Sequence, residues 1–126
     1  MEHTQQITMI TVVDDDQSVL RALGRLIRSF GYAVTQYESA EAFLAAGAAT
    51  ESDCLVLDVH LPGKSGLELQ AELAESGTSL PIVFITAHDD ARAHSQAIDS
   101  GAVEFLRKPL DSERVVEAIQ TALESS

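Results

Sequence analysis

DCLVLD (53–58) is a short apolar run that ends in a carboxylate. Runs of this length that are rich in branched apolar residues are typical of strands, and a run with almost no polar residue indicates a strand buried on both faces of a parallel sheet. Similar runs lie on both sides of it. The five predicted strands are Ile7–Val13, Ala33–Tyr37, Asp53–Leu57, Ile82–Thr86 and Val103–Leu106.

Segments with helical spacing separate the strands. In the first of them, apolar residues recur three and four positions apart, which predicts an amphipathic helix packed on the sheet. Its apolar stripe consists of Val19, Leu20, Leu23, Leu26, Ile27 and Phe30. Gly31 is expected to end this helix, and Ser39 is expected to cap a second one. The side chains of Phe30, Phe43 and Phe84 are predicted to lie in the core.

Three further helices complete the pattern. They are predicted at about Leu67–Ser76, after Asp89 and Asp90, and from near Asp111, where aspartates suit a helix start. Strands that alternate with helices predict an α/β fold. We expect a doubly wound (βα)5, flavodoxin-like fold, with a five-stranded parallel sheet in order 2-1-3-4-5 and helices on both faces.

The composition indicates one acidic globular domain. A chain of 126 residues fits a single domain, expected at residues 7–124 after a short N-terminal tail of residues 1–6. The net charge of -12 argues against nucleic-acid binding by this chain, because it repels phosphate backbones. No apolar run approaches the ~20 residues that span a membrane. No secretory signal is found, and the lone Cys54, predicted to be buried, suits a reducing compartment. We therefore expect a cytoplasmic protein without membrane contact.

Acidic residues follow two of the predicted strands. Asp14 and Asp15 come directly after the first strand, and Asp58 ends the third run. These two strands are neighbours where the predicted strand order reverses, and open α/β sheets place their sites at the carboxyl ends there. Converging carboxylates repel each other unless a cation is present, and oxygen ligands favour Mg²⁺. Asp14 and Asp15 are therefore candidate Mg²⁺ ligands beside Asp58, whereas Asp16 is expected to cap the first helix.

A hydroxyl and an ammonium group lie at the carboxyl ends of two other predicted strands, at the same edge of the sheet. The fourth strand ends in Thr86, and Lys108 and Pro109 follow the fifth. Beside a carboxylate cluster, these two side chains could bind the oxygens of a phosphoryl group. Taken singly, neither residue is specific, because threonines are common at strand ends and most lysines are solvated. The sequence does not decide whether the Lys108–Pro109 bond is cis.

Four segments together resemble the signature regions of response-regulator receiver domains, the CheY-like superfamily. They are VVDDD (12–16), LVLDVHLPGKSGLEL (55–69), FITAH (84–88) and GAVEFLRKP (101–109). Their order and spacing are those of the family, and the resemblance covers about residues 7–124. Two stretches, FGYAVTQYESAEAFL (30–44) and FITAHDD (84–90), are especially similar to receivers of the FixJ type.

The resemblance implies a role for each candidate residue. Asp58 is expected to be the phosphoacceptor, which takes a phosphoryl group from the phosphohistidine of a sensor histidine kinase. Lys108 and Thr86 would contact that group, and Thr86 and Phe105 would form the switch that alters the surface of the fourth helix, fifth strand and fifth helix. The implied Mg²⁺ ligands are Asp14, Asp15, Asp58 and the backbone carbonyl of His60. Such a domain is not an enzyme beyond self-catalysed phosphotransfer and autodephosphorylation.

Several alternatives stay open from the sequence. The output is expected to be transcription, through a DNA-binding domain absent from this chain, or else protein contact by a single-domain regulator. Phosphorylation is expected to promote a homodimer. A small haloacid-dehalogenase-type phosphatase would use Asp14 and Asp16 as its motif but would leave Asp58 unexplained. A third alternative is a binding module of this fold that no longer accepts phosphate. His88 either affects water attack on the acyl phosphate or is an exposed loop residue.

Overall fold

A single parallel sheet forms the centre of the molecule. The computed structural model describes residues 7–124, so the predicted tail, residues 1–6, lies outside the described residues. The strands are β1 (Met9–Val13), β2 (Ala33–Tyr37), β3 (Cys54–Asp58), β4 (Ile82–Thr86) and β5 (Glu104–Arg107). Their order is β2-β1-β3-β4-β5, with all neighbours parallel. The predicted fold class and strand order are confirmed.

One α-helix follows each strand along the chain. They are α1 (Gln17–Ser29), α2 (Ala40–Ala45), α3 (Gly66–Glu75), α4 (Ala91–Asp99) and α5 (Ser112–Glu124), with an unpredicted 3-10 helix at Ala48–Glu51. The side chains of Asp16, Ser39 and Asp90 accept backbone N–H groups in the first turns of α1, α2 and α4, so these predicted caps are confirmed. Among residues 7–124, no helix has the length and apolar character that a membrane crossing requires.

The hydrophobic core lies in two layers, one on each face of the sheet. Strand β3 shows the alternation, because Cys54 and Val56 belong to one layer and Leu55 and Leu57 to the other. Helices α1 and α5 cover the first layer, and α2, α3 and α4 cover the second. Every residue of β3 and β4 is buried, as expected for central strands of a parallel sheet.

Strand ends differ by one or two residues from the prediction, because pairing rather than composition sets them. Ile7 is 76% exposed and precedes β1. Asp53 precedes β3, where its carboxylate accepts the backbone N–H of Met9 at 2.8 Å. Strand β5 begins at Glu104 rather than at Val103.

The prediction of the core is wrong for one residue, Phe30. Phe30 is 54% exposed, whereas Phe43 and Phe84 are fully buried as predicted. Phe30 is the C-cap of α1, and the next residue, Gly31, turns the chain with φ of 91°. The phenyl ring therefore lies past the last turn that packs on the sheet. Cys54 is buried, and burial is the main cause that raises the pKa of its thiol to about 12, so it is not a reactive thiol.

Candidate functional site

Four side chains that follow different strands meet at the carboxyl edge of the sheet. Asp14 comes directly after β1, Asp58 is the last residue of β3, Thr86 is the last residue of β4, and Lys108 follows β5. Because all five strands are parallel, these ends lie at the same edge. The structure thus brings Asp14, Asp15, Asp58 and Lys108 together, with Thr86 at the same edge of the sheet.

The acidic cluster consists of Asp14, Asp15 and Asp58. Each offers one carboxylate oxygen, and these oxygens lie within 4.8 Å of one another. Asp14 is completely buried, Asp58 is 5% exposed, and Asp15 is exposed. Among residues 7–124, this is the one group of at least three histidine, cysteine or acidic side chains whose ligand atoms converge in this way.

Backbone amides orient the two buried carboxylates. Asp14 Oδ1 accepts the N–H of Asp16 at 2.9 Å, and Asp58 Oδ1 accepts the N–H of His60 at 3.1 Å. Each bond spans two residues and leaves the second oxygen of the carboxylate to face the shared space. The start of α3 packs closely here, since a side chain at Gly66 would collide with the backbone carbonyl of Asp58.

Lys108 supplies the positive charge of the site. Its Nζ lies 2.9 Å from Asp14 Oδ2 and 3.5 Å from Asp58 Oδ2. Burial alone would lower the pKa of this ammonium group, but the close contact with Asp14 and the charge of Asp58 outweigh it, so the pKa is raised. Lys108 therefore stays protonated beside both carboxylates.

Asp58 does not ionise as readily as an ordinary aspartate. Burial is the main cause that raises its pKa from 3.8 to about 6, and the negative charge of Asp14 adds to the effect. Lys108 and the N–H of His60 oppose this rise without cancelling it. The single positive charge of Lys108 thus does not neutralise the combined negative charge of the Asp14 and Asp58 carboxylates.

The donor set fits a hard divalent cation. Among residues 7–124, Asp14 Oδ2 is the buried side-chain oxygen without a hydrogen-bond partner, although the ammonium group of Lys108 lies 2.9 Å from it as an ion pair. Lys108 supplies one positive charge to two buried carboxylates, and a divalent cation beside them would add the charge that is lacking. Asp14, Asp15 and Asp58 present oxygen atoms only, which is the ligand type that Mg²⁺ prefers.

The predicted switch residues lie on the β4–β5 side of the site. Thr86 is fully buried, and its Oγ1 accepts the backbone N–H of His88 at 3.1 Å. Its carbonyl accepts the N–H of Lys108 at 2.7 Å, next to a cis Lys108–Pro109 bond. Phe105 is half-buried on β5, with its ring centroid 6.2 Å from that of Phe84.

Sequence reasoning missed two aromatic contacts of histidine side chains. The rings of His60 and His88 meet edge-to-face at 4.5 Å, and His60 Nε2 lies 3.8 Å from a carboxylate oxygen of Asp90. The ring of His94 stacks on that of Phe105. These pairs join different loops and elements, so no local spacing pattern signals them. The predicted metal contact of the His60 carbonyl stays a prediction.

Comparison with known families agrees with this geometry. The family model described as "Response regulator receiver domain" matches residues 10–120. The chain is 45% identical to the response regulator protein TmoT of Ectopseudomonas mendocina over 118 residues, which is 94% of this chain and 54% of TmoT. It is 41% identical to the transcriptional regulatory protein FixJ of Azorhizobium caulinodans over 114 residues, 90% of this chain and 54% of FixJ.

Solved structures show the same likeness. A crystal structure of FixJ-N superposes with a TM-score of 0.86 at 35% identity, covering 97% of this chain and 98% of FixJ-N. The similarity to FixJ-type proteins that the sequence indicates is thus confirmed. The chain spans about half the length of the curated relatives that it matches.

Proposed function

Since this chain belongs to the response regulator receiver domain family and serves two-component signalling, we propose that it accepts a phosphoryl group on Asp58. The observation that carries this proposal is the position of the Asp58 carboxylate within 4.8 Å of two other acidic groups and 3.5 Å from Lys108. In a site for phosphoryl transfer, positioning and charge stabilisation do most of the work.

The residues divide the chemistry among them. The N–H of His60 holds Asp58 Oδ1, so the other oxygen is oriented to attack phosphorus as the bond to the donor's leaving group breaks. Lys108 stabilises the negative charge of the transferring group. Thr86 would donate its hydroxyl proton to a phosphoryl oxygen. That proton is available because Thr86 Oγ1 accepts, and does not donate, in its hydrogen bond with the N–H of His88.

Asp14, Asp15, Asp58 and the carbonyl of His60 are the residues that would hold Mg²⁺. When bound, Mg²⁺ supplies positive charge that offsets the carboxylates and the phosphoryl oxygens. Without that charge, burial and the repulsion by Asp14 hold the pKa of Asp58 at about 6. Asp14 is itself buried, and within residues 7–124 its Oδ2 has an ion pair with Lys108 but no hydrogen-bond partner, so a divalent cation would stabilise both carboxylates.

The test is phosphorylation by a small donor. With acetyl phosphate and Mg²⁺, we expect intact mass to show one phosphoryl group per chain, and we expect EDTA to prevent labelling because the carboxylates then repel the donor. Stoichiometric labelling agrees with a phosphoacceptor that is not an enzyme acting on separate substrates. Full labelling in EDTA would contradict the magnesium site, and no labelling under any condition would contradict the proposal.

The biological donor is proposed to be a sensor histidine kinase, which docks on α1 beside the site. An apolar groove of about 280 Å³ lies between α1 and the loop before α5, and Lys108 and Pro109 form part of its lining. Arg21, Arg25 and Arg28 are exposed on one face of α1, which carries no acidic residue. In a chain of net charge -12, this stripe suits a partner surface that is acidic.

Charge reversal on this stripe separates docking from chemistry. For the double variant Arg21→Glu and Arg25→Glu, we expect phosphotransfer from the cognate kinase to slow about 10-fold or more at low salt, since steering charges act mainly on association. Labelling by acetyl phosphate should stay unchanged, because neither arginine lies in the site. Equal kinase rates for variant and wild type would remove this docking surface from the proposal.

The output belongs to the same proposal. Phosphorylation is proposed to alter the surface of α4, β5 and α5 through Thr86 and Phe105, and to control transcription through a DNA-binding domain outside this chain or, alternatively, through protein contact. That surface exposes 40% of Ile98 and suits a phosphorylation-dependent homodimer, which sedimentation with and without beryllofluoride would detect. We place the receiver at residues 7–124, in the cytoplasm, without membrane or direct nucleic-acid contact.

A further inference from the structure

The side chain of His94 covers the outer face of the Phe105 ring. It lies in α4, is itself exposed, and its ring stacks on the phenyl ring with centroids 4.6 Å apart and planes 3° apart. The other aromatic neighbour, Phe84, belongs to the core and is tilted by 41° at 6.2 Å. Phe105 is therefore held between a fixed ring inside and a ring on a surface helix outside.

A cavity lies next to this pair. It has a volume of about 250 Å³, and Thr86, His94 and Phe105 all contribute to its lining. A cavity of roughly 150 Å³ can hold benzene, so the space is large enough for a phenyl ring. Phe105 is stacked on His94, and this space would give its ring room for a second position nearer to Thr86.

We propose that His94 is a positioning residue for the switch, which holds Phe105 in the outward place while Asp58 is unphosphorylated. This inference rests on the proposed function, because it concerns the equilibrium that phosphorylation shifts. Moving Phe105 toward Thr86 separates the two rings, so the stack stabilises the unphosphorylated form alone. A contact that favours one of two states lowers the population of the other.

The size of the effect follows from the contact. A stacked aromatic pair changes an equilibrium by about two- to tenfold. A ligand that binds only a minor state has an apparent affinity that is reduced in proportion to the population of that state. Removing His94 should raise the population with Phe105 in the inward position. It should therefore raise the apparent affinity of any ligand that requires this position. Beryllofluoride with Mg²⁺ is such a probe, since it mimics the phosphoryl group on Asp58.

The experiment compares His94→Ala with two control variants under identical conditions. For His94→Ala, we expect two- to tenfold tighter beryllofluoride binding. We also expect the NMR signals of the Phe105 ring, without beryllofluoride, to move toward those of the beryllofluoride complex. His94→Phe, which restores a ring to stack, should return both readouts to wild type. Ser95→Ala, a neighbouring exposed position of α4, should change neither.

The outcomes separate the two proposals. If wild type does not bind beryllofluoride, the proposed phosphoacceptor function is wrong. If wild type binds it, and His94→Ala binds with equal or lower affinity while the Phe105 signals stay in place, the role of His94 is overturned and the function stands. A merely structural role would lower the unfolding midpoint of His94→Ala without tightening beryllofluoride binding, which also counts against the inference.

Discussion

Asp58→Asn is expected to abolish phosphorylation completely. An amide cannot supply the anionic oxygen that attacks phosphorus, and the other carboxylates of the site do not replace it. Asp14 is fully buried and pairs with Lys108 at 2.9 Å, and Asp15 is exposed at the rim of the site. After incubation with acetyl phosphate and Mg²⁺, intact mass should show only the unmodified variant.

A matched control makes this result specific. Asp99→Asn changes the same functional group at an exposed position in α4, and it should label as wild type does. Labelling of Asp58→Asn at the wild-type level would refute the assignment of the phosphoacceptor. If peptide mapping showed that the label moves to Asp14 in the variant, this result would instead support the alternative of a haloacid-dehalogenase-type phosphatase, which uses Asp14 in its motif.

The same variant should also be more stable than wild type without Mg²⁺. Burial and Asp14 raise the pKa of Asp58 from 3.8 to about 6, so ionised Asp58 destabilises the folded state. The contribution of wild-type Asp58 to stability is full below pH 3.8 and is lost as the pH rises through about 6. The amide that replaces the carboxyl group has no such titration, and the difference at neutral pH should be roughly 1–2 kcal/mol after allowance for solvent screening.

Urea unfolding between pH 5 and pH 8 measures this difference. The stability gain of Asp58→Asn should grow toward about pH 6 and level off above it, and Mg²⁺ should reduce the gain by stabilising wild type. A gain that is the same at every pH would show that ionisation of Asp58 is not its cause.

Lys108→Gln is expected to slow phosphotransfer from acetyl phosphate by about 10²- to 10³-fold, the usual cost of removing one group that stabilises charge in a transition state. The ammonium group lies within 3.5 Å of both Asp14 and Asp58. Its replacement by an amide keeps a side chain of similar length but removes the charge. Single-turnover labelling, followed by intact mass over time, gives the rate.

Mg²⁺ affinity distinguishes a lost charge from a damaged site. Without the competing ammonium group, the carboxylates of Lys108→Gln should bind Mg²⁺ at least as tightly as in wild type. Lys108→Arg keeps the charge but not its compact placement, so its rate should fall between those of wild type and Lys108→Gln. Labelling of Lys108→Gln at the wild-type rate would show that this lysine does not act in the transfer.

The fold can be predicted because its signals are local and repeated. DCLVLD (53–58) has the apolar composition of a central parallel strand, and the stripe of α1 has helical spacing. Capping residues such as Ser39 act on the next few residues only, and they are predicted correctly. Ser65 forms a capping box with Glu68, a local signal that the prediction omits, so it starts α3 one residue late. The core prediction for Phe30 is wrong because periodicity does not show where a helix stops facing the sheet.

The sequence by itself determined that strands alternate with helices, and parallel strands joined by helices bring their carboxyl ends to one edge. It therefore predicted that Asp14, Asp15, Asp58, Thr86 and Lys108 come together. Only the tertiary structure decided how they interact: that Asp14 Oδ2 is buried and pairs with Lys108, that the pKa of Asp58 is raised, and that His94 stacks on Phe105. Such properties depend on burial and on distances of a few ångströms between residues far apart in the chain, which no local pattern encodes.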